Sequence, residues 1–295
     1  VYMEFDIWKP LYVDEFDCDK YLYHYTSFET AIKIIYSNQL LFSLIGRTND
    51  TSESKMKIVF GENNIVDKDI YRKQVNTISE YFHQSTQIVQ LLCFSTDAKI
   101  NENDKKKYLS IMGKKDMYYD VSGRGFALPR MWAQYASNNM GVCFVFNREK
   151  LEELVKRKIA FTKAAPVKYK KFFNRYIIDT ERMDVLYDKI SMISNGSLTL
   201  LDMIQKDNDF LTYNFFTKLD DWKNEHEYRI VALIDNKNHL DRLAIDKVSS
   251  CLEGVVIGEQ IDPAYEKTIK ILIQSMGNKC DVKKIQFTSR MCKLV

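Results

Sequence analysis

The residues best suited to chemistry lie late in the chain, in the run WKNEHEYR at positions 222–229. If this run is a β-strand, alternate side chains share one face, and Glu225, Glu227 and Arg229 align. Two carboxylates at positions i and i+2 can take different roles, one of them holding a ribose hydroxyl while positive charge develops on the sugar during glycosidic cleavage. A strand edge on which Glu and Arg simply pair has the same spacing. The pattern therefore leaves a catalytic and a structural interpretation open.

A histidine stands near the end of an aromatic run early in the chain, in YHYTS at positions 23–27. His24 can donate hydrogen bonds to a polar ligand, while the neighbouring Tyr25 can stack on a flat one. Thr26 and Ser27 carry side chains that cap a following helix. A half-buried histidine with satisfied hydrogen bonds is the alternative to a ligand contact.

Three further groups are candidates for ligand or partner contact. The polar loop that follows the second predicted strand contains NDTSE at 49–53, which either caps the next helix or binds a hydroxylated ligand. Trp132 and Tyr135 are three residues apart on a predicted short helix, so they share a face that is either an aromatic wall or core packing. The run KYKKFFNRY at 168–176 mixes cations with rings, a composition that grips phosphates and stacks on bases, although a solvated helix face has it too.

Several common catalytic motifs are absent from the sequence. It contains no G-x-G-x-x-G, no P-loop and no G-x-S-x-G, which argues against a Rossmann dinucleotide site, an NTPase and a serine hydrolase of that type. The dipeptide His226-Glu227 begins like a zinc protease motif, but Ile230 stands where the second histidine would be. We therefore expect no metal.

Composition limits the class of protein. With 43 basic and 40 acidic residues the net charge is +3, so a nucleic acid or an anionic membrane would need a local patch. Glycine (10) and proline (4) are scarce and no linker divides the chain, which favours one domain over residues 1–295. No apolar stretch reaches the roughly 20 residues that span a bilayer, and the cysteines form no C-x-x-C pair. We expect a cytoplasmic protein that is neither secreted nor membrane-embedded.

The hydrophobic pattern predicts short strands separated by helices of unequal length. The predicted strands are Lys20–Tyr25, Leu40–Leu44, Leu91–Ser95, Gly141–Phe146, Glu227–Ile234, Gly254–Gly258 and Val282–Phe287. The predicted helices are one that follows Ser27, one at about 64–89, Pro129–Ala136, Leu151–Val155, Pro263–Met276 and a mainly helical excursion at about 168–220. This irregular alternation does not fit a doubly wound fold and favours an α+β protein with a mixed, bent central sheet.

The motifs, taken in order, resemble a known family. YHYTS, NDTSE, CFS at 93–95, MWAQYA followed by GVCFVF, and WKNEHEYRI followed by VVIG are together similar to the bacterial domain-of-unknown-function family 2971, over nearly the whole chain. That family is grouped with the ADP-ribosyltransferase superfamily. The resemblance implies an α+β fold with a mixed, split and bent central β-sheet flanked by helices. It also implies a cleft that holds NAD without a Rossmann glycine loop.

Roles for individual residues follow from the resemblance. His24 would contact the adenosine ribose, and Tyr25 or Tyr135 would pack on the nicotinamide. Glu227 would fix the nicotinamide ribose, and Glu225 would help to select the acceptor. We also expect cofactor contacts from Thr26, Ser43, Arg47, Asn49, Asp50 and Trp132.

Three functions remain open at this point. The first is transfer of ADP-ribose from NAD to a protein or nucleic acid, and the expected partner contacts are Lys168, Lys170, Lys171 and Arg175. The second is NAD hydrolysis by the same site, with water as the acceptor. The third is a catalytically silent module that binds a nucleotide or partner, since Phe42-Ser43 stands where the superfamily carries a tyrosine pair. The resemblance also brings an expectation of a toxin or phage-defence role.

Overall fold

The computed structural model describes residues 6–12, 19–50, 53, 55, 58–61, 65, 67–111, 118–172, 176–234, 242–277 and 280–295. Its strands are β1 (Tyr21–Thr26), β2 (Gln39–Leu41), β3 (Ser43–Leu44), β4 (Ile58–Phe60), β5 (Val89–Ser95), β6 (Val142–Asn147), β7 (Thr162–Pro166), β8 (Lys168–Lys170), β9 (Tyr176–Ile178), β10 (Thr217–Leu219), β11 (Glu227–Leu233), β12 (Ala244–Asp246), β13 (Leu252–Ile257), β14 (Asp281–Phe287) and β15 (Cys292–Leu294). Its α-helices are α1 (Phe28–Ser37), α2 (Lys68–Gln87), α3 (Glu102–Ile111), α4 (Pro129–Tyr135), α5 (Arg148–Lys158), α6 (Thr180–Ser194), α7 (Leu200–Lys206), α8 (Asn208–Phe215) and α9 (Pro263–Ser275).

A 9-stranded sheet forms the centre of the molecule, in the order β15-β14-β13-β6-β1-β5-β11-β7, with β3 paired to β5. The β13–β14 pairing is parallel, and the remaining pairings in this sheet are antiparallel. Helices pack on the sheet, so the predicted mixed central sheet flanked by helices is confirmed. Three small two-stranded sheets, β10–β8, β12–β2 and β4–β9, lie beside it.

The sheet is weakly joined between β1 and β5. Strand β1 pairs with β6 along its whole length, whereas its pairing with β5 is limited to Tyr23 and Ser95. Strand β3 joins the same edge of β5 further along, at Gln90–Leu91. Among the described residues, this edge of β5 therefore has no strand partner at Leu92–Phe94. We call this gap the seam.

Side chains alternate along the strands and give the sheet two faces. One face packs in a single core with α1, α5 and α9, where Leu22, Phe94 and Ile230 are buried. The other face has two separate cores. One surrounds β1, β6 and α4 and contains Trp132, and the other surrounds β5, β11 and the helices α2, α6, α7 and α8 and contains Leu91. The seam lies between these two cores.

The connection from β1 to α1 follows the local chemistry of the sequence. The Ser27 hydroxyl accepts a hydrogen bond from the backbone N–H of Thr30 at 3.2 Å, which satisfies one of the free donors of the first turn. Asn38 ends the helix in the left-handed conformation with φ of 54°. The predicted cap is confirmed for Ser27, whereas Thr26 is the last residue of β1.

Four predicted features differ from the structure. The single strand Leu40–Leu44 is divided, because β2 pairs with β12 while β3 pairs with β5. The basic segment that begins at Lys168 is strand rather than helix, since β8 gains its hydrogen bonds from β10, far along the chain. Helices α6 to α8 occupy only the middle of the predicted excursion at 168–220. Glu225 ends a short 3-10 helix, Asp220–Glu225, and β11 begins at Glu227.

The described cysteines carry free thiols, and most of them are buried. No helix in the described part of the chain has both the length and the apolar character needed to cross a membrane.

Candidate functional site

A cavity of about 300 Å³ opens at the seam, between the two cores on one face of the sheet. Its wall is built from β1, the loop after β3, β5, α4, β10 and the start of β11. The predicted site residues that line it are His24, Tyr25, Ser43, Arg47, Asn49, Tyr135, Glu225 and Glu227. The structure adds Glu53, Cys93, Ser95, Lys218 and Arg229. Two segments that are distant in sequence thus meet at one cavity.

Lys218 of β10 is the centre of a buried ion cluster in this wall. Its Nζ atom lies 2.8 Å from Oε2 of Glu227 and 3.2 Å from Oε2 of Glu225. Oε1 of Glu53 lies 3.9 Å away, and the ring centroid of Trp222 lies 4.8 Å away. A buried ammonium is stable only when carboxylates compensate for its lost hydration, and here three surround it.

Arg229 completes the cluster from β11. Its Nε and Nη2 donate to the two carboxylate oxygens of Glu227 at 2.6 and 3.0 Å, a bidentate arrangement. Nη2 also donates to Glu53, and Nη1 donates to the carbonyl of Phe215 at 2.8 Å. The cluster contains three carboxylates and two cations, so it places one net negative charge beside the cavity.

Charge pairing favours the ionised forms of Glu227 and Lys218. Burial raises the pKa of Glu227, but the charges of Arg229 and Lys218 outweigh burial and hold this pKa at about 2. For Lys218, burial lowers the pKa, and the three glutamates raise it to well above its ordinary value. Glu227 is therefore an anion throughout the physiological pH range. It can stabilise positive charge there, but it cannot exchange a proton.

A left-handed residue lets Glu225 and Glu227 reach the same cation. The intervening His226 has φ of 47°, which bends the chain between the 3-10 helix and β11. This conformation is sterically unfavourable for a residue with a Cβ atom, although histidine is found there more often than most. The His226 carbonyl accepts hydrogen bonds from the backbone N–H and the hydroxyl of Thr96, at 2.9 and 3.0 Å. The bend is thereby attached to the end of β5.

Two tyrosines contact the glutamates directly. The Tyr135 hydroxyl donates to Oε1 of Glu225 at 2.8 Å, and the Tyr169 hydroxyl accepts from the backbone N–H of Glu227 at 2.9 Å. Burial and the charge of Glu225 raise the pKa of Tyr135, so its hydroxyl keeps the proton that it donates. Of the two predicted stacking residues, Tyr135 is thus the one that contacts the ion cluster.

His24 reaches the cavity through the seam. Tyr23 pairs with Ser95, and Ser95 pairs with Glu227, so these three side chains lie on the same face of the sheet. His24 follows Tyr23 in the strand, and its side chain therefore belongs to the opposite face. Its Nδ1 lies 3.3 Å from the carbonyl of Cys93, in the part of β5 that lacks a strand partner. Because a carbonyl only accepts, Nδ1 carries the proton of this bond and Nε2 is left as an acceptor. Burial lowers the pKa of His24, which favours this neutral form.

Three predicted cofactor contacts do not line the cavity. Trp132 is 0% exposed, and its indole N–H donates to a backbone carbonyl at 2.8 Å, so it is a core residue. Thr26 and Asp50 are buried outside the wall. Tyr25 does line the cavity, but its ring packs edge-on against Trp132 and its hydroxyl donates to a backbone carbonyl at 2.7 Å. At Trp132 and Tyr25, core packing outweighs ligand access because both side chains complete the core around α4.

The polar loop after β3 forms the rim of the cavity. Ser43 pairs with Leu91 in the short β3–β5 ladder, which anchors the start of the loop. Arg47 and Asn49 follow, and both are exposed. An exposed guanidinium at a cavity rim has donors suited to an anionic group such as a phosphate.

Sequence reasoning missed the central cation and the third carboxylate of the cluster. It treats Glu53 as one member of a capping or ligand-binding loop, and it gives Lys218 no role. A single lysine within the apolar run FFTKL is the signal that could have found Lys218, because a lone charge among buried residues requires partners. The identity of those partners depends on contacts between distant parts of the chain.

The predicted partner contacts lie beside the site. Lys168 and Lys170 belong to β8 and Lys171 follows it, and all three are exposed. The fourth, Arg175, lies outside the residues that the structure describes.

Residues 131–230 match the profile of a family described as a protein of unknown function, DUF2971. The similarity to that family covers about a third of the chain. The matched segment contains Tyr135, the whole stretch from Lys218 to Arg229 and the basic strand, whereas His24 and the rim loop lie outside it. No curated protein and no solved structure matches the chain.

The arrangement suits a ligand that carries both negative and positive character. An anionic cluster forms one part of the wall, a neutral histidine acceptor lies at the seam, and a cation stands at the rim. Within the described residues no group of His, Cys, Asp and Glu side chains is arranged to hold a metal ion. The described carboxylates of the wall are held by Lys218 and Arg229 instead.

Proposed function

We propose that this protein uses NAD as a substrate and transfers its ADP-ribose group to a macromolecule. The observation that carries the proposal is that His24 and the pair Glu225 and Glu227 line one cavity, at the seam of the sheet. The family resemblance gives these residues their roles, and the net negative charge of the ion cluster supplies a physical reason for them.

In the proposed reaction the bond between the nicotinamide nitrogen and the anomeric carbon of the ribose breaks. Nicotinamide leaves as a neutral molecule with the electron pair of that bond, and positive charge develops on the ribose ring. An oxygen or nitrogen of the acceptor then bonds to the anomeric carbon and loses its proton to solvent. Glu227 remains an anion throughout, so its charge stabilises the ribosyl cation. Glu225, beside it on Lys218, orients the acceptor.

In this proposal, other residues of the cavity wall bind the remaining parts of NAD. Nε2 of His24 accepts a hydrogen bond from a hydroxyl of the adenosine ribose, and Arg47 at the rim faces the pyrophosphate. Tyr135 offers a ring next to Glu225 on which the nicotinamide packs.

The proposal is tested with NAD labelled in its adenylate half, incubated with the protein and a cell extract. Wild-type protein is expected to release nicotinamide and to attach the label to macromolecules. Glu227→Gln should reduce nicotinamide release by roughly a hundredfold or more, as removal of a charge-stabilising group does in other enzymes. Glu181→Gln on α6, an exposed carboxylate, is the matched control and should keep full activity.

Because Glu227 is paired with two buried cations, each variant is also checked by thermal unfolding. Calorimetric titration of wild-type protein with NAD provides a measurement that needs no variant. Absence of both NAD binding and nicotinamide release in the wild type would contradict the proposal. Free ADP-ribose as the sole product would show that the protein hydrolyses NAD and does not transfer ADP-ribose to a macromolecule.

One observation favours a catalytically silent binding module as the second candidate. Both oxygens of Glu227 already accept hydrogen bonds or ion pairs, from Arg229 and Lys218, which leaves the carboxylate little capacity for a substrate hydroxyl. This function predicts NAD binding without nicotinamide release. His24→Ala would weaken that binding, and cellular activity would survive Glu227→Gln.

The proposal extends to a toxin or phage-defence role. Consumption of NAD or modification of an essential macromolecule halts growth, so induced expression of the wild type is expected to arrest a bacterial host. Glu227→Gln should relieve the arrest, and Glu181→Gln should not.

A further inference from the structure

Strand β8 lies directly against the backbone of Glu227. The N–H of Val167, one residue before the strand, donates to the Glu227 carbonyl at 2.8 Å. The Tyr169 hydroxyl accepts from the Glu227 N–H at 2.9 Å. Both backbone groups of the proposed catalytic residue are thus held by this strand and the residue preceding it. Whatever binds along β8 lies next to the reaction centre.

The exposed side of the strand carries positive charge. Tyr169 faces Glu227, and side chains alternate along a strand, so Lys168 and Lys170 project from the other side. Both are exposed, as is Lys171, and within the described part of the chain none of the three forms an ion pair. Burial and the positive charge of Lys168 lower the pKa of Lys163 on neighbouring β7, a sign of crowded cations.

Acidic residues on the adjoining elements do not neutralise this surface. Asp209 of α8 lies near Lys163, and Asp220 and Asp221 begin the 3-10 helix that follows β10. Against these three aspartates and the formal charge of −1 on the ion cluster stand five lysines, namely Lys163, Lys168, Lys170, Lys171 and the exposed Lys223. The local balance therefore stays positive, in a protein whose overall charge is close to neutral.

An exposed aromatic ring adjoins the lysines. Phe172 is 83% exposed, which is unusual for a phenylalanine and leaves its ring face free for contact. Exposed rings next to lysines are the features with which proteins hold single-stranded nucleic acids, because cations contact the phosphates and rings stack on unpaired bases.

We propose that the acceptor is a single-stranded nucleic acid, held by Lys168, Lys170 and Lys171 with a base stacked on Phe172. This inference rests on the proposed transfer of ADP-ribose, since the strand beside Glu227 then delivers the acceptor to the anomeric carbon. We define Lys168, Lys170, Lys171 and Phe172 as the β8 surface. Its three cations and exposed ring favour a flexible polyanion with flat bases over a protein surface.

The experiment measures binding of a fluorescent single-stranded oligonucleotide of mixed sequence, without NAD, by anisotropy over a range of salt concentrations. Wild-type protein is expected to bind, with an affinity that falls as salt rises. The triple variant Lys168→Gln, Lys170→Gln, Lys171→Gln should bind at least tenfold more weakly. Its salt slope should fall by about 2, since each lost phosphate contact on a single strand removes about 0.7. Phe172→Ala should weaken binding about fivefold or more without changing the slope.

The matched control replaces three exposed lysines on other helices, Lys106, Lys107 and Lys267, by glutamine. It removes the same charge and should leave affinity and slope unchanged. Equal losses in the two triple variants would show non-specific attraction and overturn the inference. Absence of binding by the wild type at low salt, or preference for an acidic protein over the oligonucleotide, would overturn it as well.

The two proposals fail in different ways. If the protein binds the oligonucleotide through the β8 surface but never releases nicotinamide, the proposed binding surface is supported and the proposed transferase activity is refuted. If the label from NAD is attached only to proteins and the protein binds no oligonucleotide, the proposed transferase activity is supported and the proposed binding surface is refuted.

Discussion

Nζ of Lys218 lies 2.8 Å from Oε2 of Glu227, and the two side chains are only 5% and 6% exposed. Each charge is therefore stabilised in the interior by the other, and Arg229 further stabilises the charge of Glu227. The pair joins β10, which lies outside the central sheet, to β11 within it. Stability and the proposed chemistry thus depend on the same few atoms.

Removal of Lys218 should be strongly destabilising. Lys218→Met leaves three glutamates facing one guanidinium, and loss of one member of a buried ion pair costs about 3–5 kcal/mol. Denaturant unfolding is expected to show a fall in the free energy of unfolding of that size. The exposed Lys267→Met is the control, with an expected change below about 0.5 kcal/mol. Equal effects of the two substitutions would mean that the cluster contributes no net stability.

Glu227 should make stability dependent on pH in the acidic range. Its pKa is about 2 in the folded protein, against an ordinary value of 4.5. Because the pKa of Glu227 is lower in the folded than in the unfolded state, its ionised form stabilises the fold at a pH above the unfolded pKa. That contribution, about 3 kcal/mol, is lost as the pH falls from about 5 to 2. Unfolding free energies measured across this range should decline less steeply for Glu227→Gln than for wild-type protein. Parallel curves would contradict the assigned pairing.

His24 should bind its ligand in the neutral form. Burial lowers its pKa below the ordinary 6.5, so NAD affinity measured by calorimetry should be constant between about pH 8 and pH 6.5. His24→Ala should weaken binding about tenfold, because it removes the Nε2 acceptor and the bond to Cys93 across the seam. An affinity that changes in that pH range would show that the histidine titrates there, against expectation.

The left-handed residue between the glutamates should tolerate glycine but not a β-branched side chain. His226→Gly relieves the steric cost of a positive φ, whereas His226→Val increases it by about 1–2 kcal/mol. Unfolding free energy and nicotinamide release should therefore both fall more for valine. His83→Val on the exposed face of α2 provides the control for the loss of an imidazole. Equal behaviour of the two His226 variants would show that the bend is not constrained.

Local sequence patterns were sufficient to predict most of the strands and helices. The runs around His24, Cys93 and Tyr228 form strands as predicted, because apolar and β-branched runs have few alternatives. The predicted segments at 129–136 and 263–276 form helices because proline at the first turn and a regular apolar spacing favour them.

The site was harder to predict because its geometry depends on distant pairings. Glu225 and Glu227 were expected on one face of a strand, yet they converge through a bend at His226 and a cation from β10. Trp132 has an aromatic side chain of the kind that can line a ligand site, but in the structure it is buried in the core. No local pattern specifies that β8 pairs with β10, and hence none specifies what Lys218 contacts.

The single rung between Tyr23 and Ser95 has a mechanical consequence. On either side of it, long ladders make β1 with β6, and β5 with β11, into two stiff plates. Fewer backbone hydrogen bonds resist a small rotation of one plate against the other than resist bending within either plate, so we expect the cavity between them to widen or narrow by hinging at this rung. Such a motion would admit the proposed dinucleotide while the hydrogen bonds within each plate remain intact.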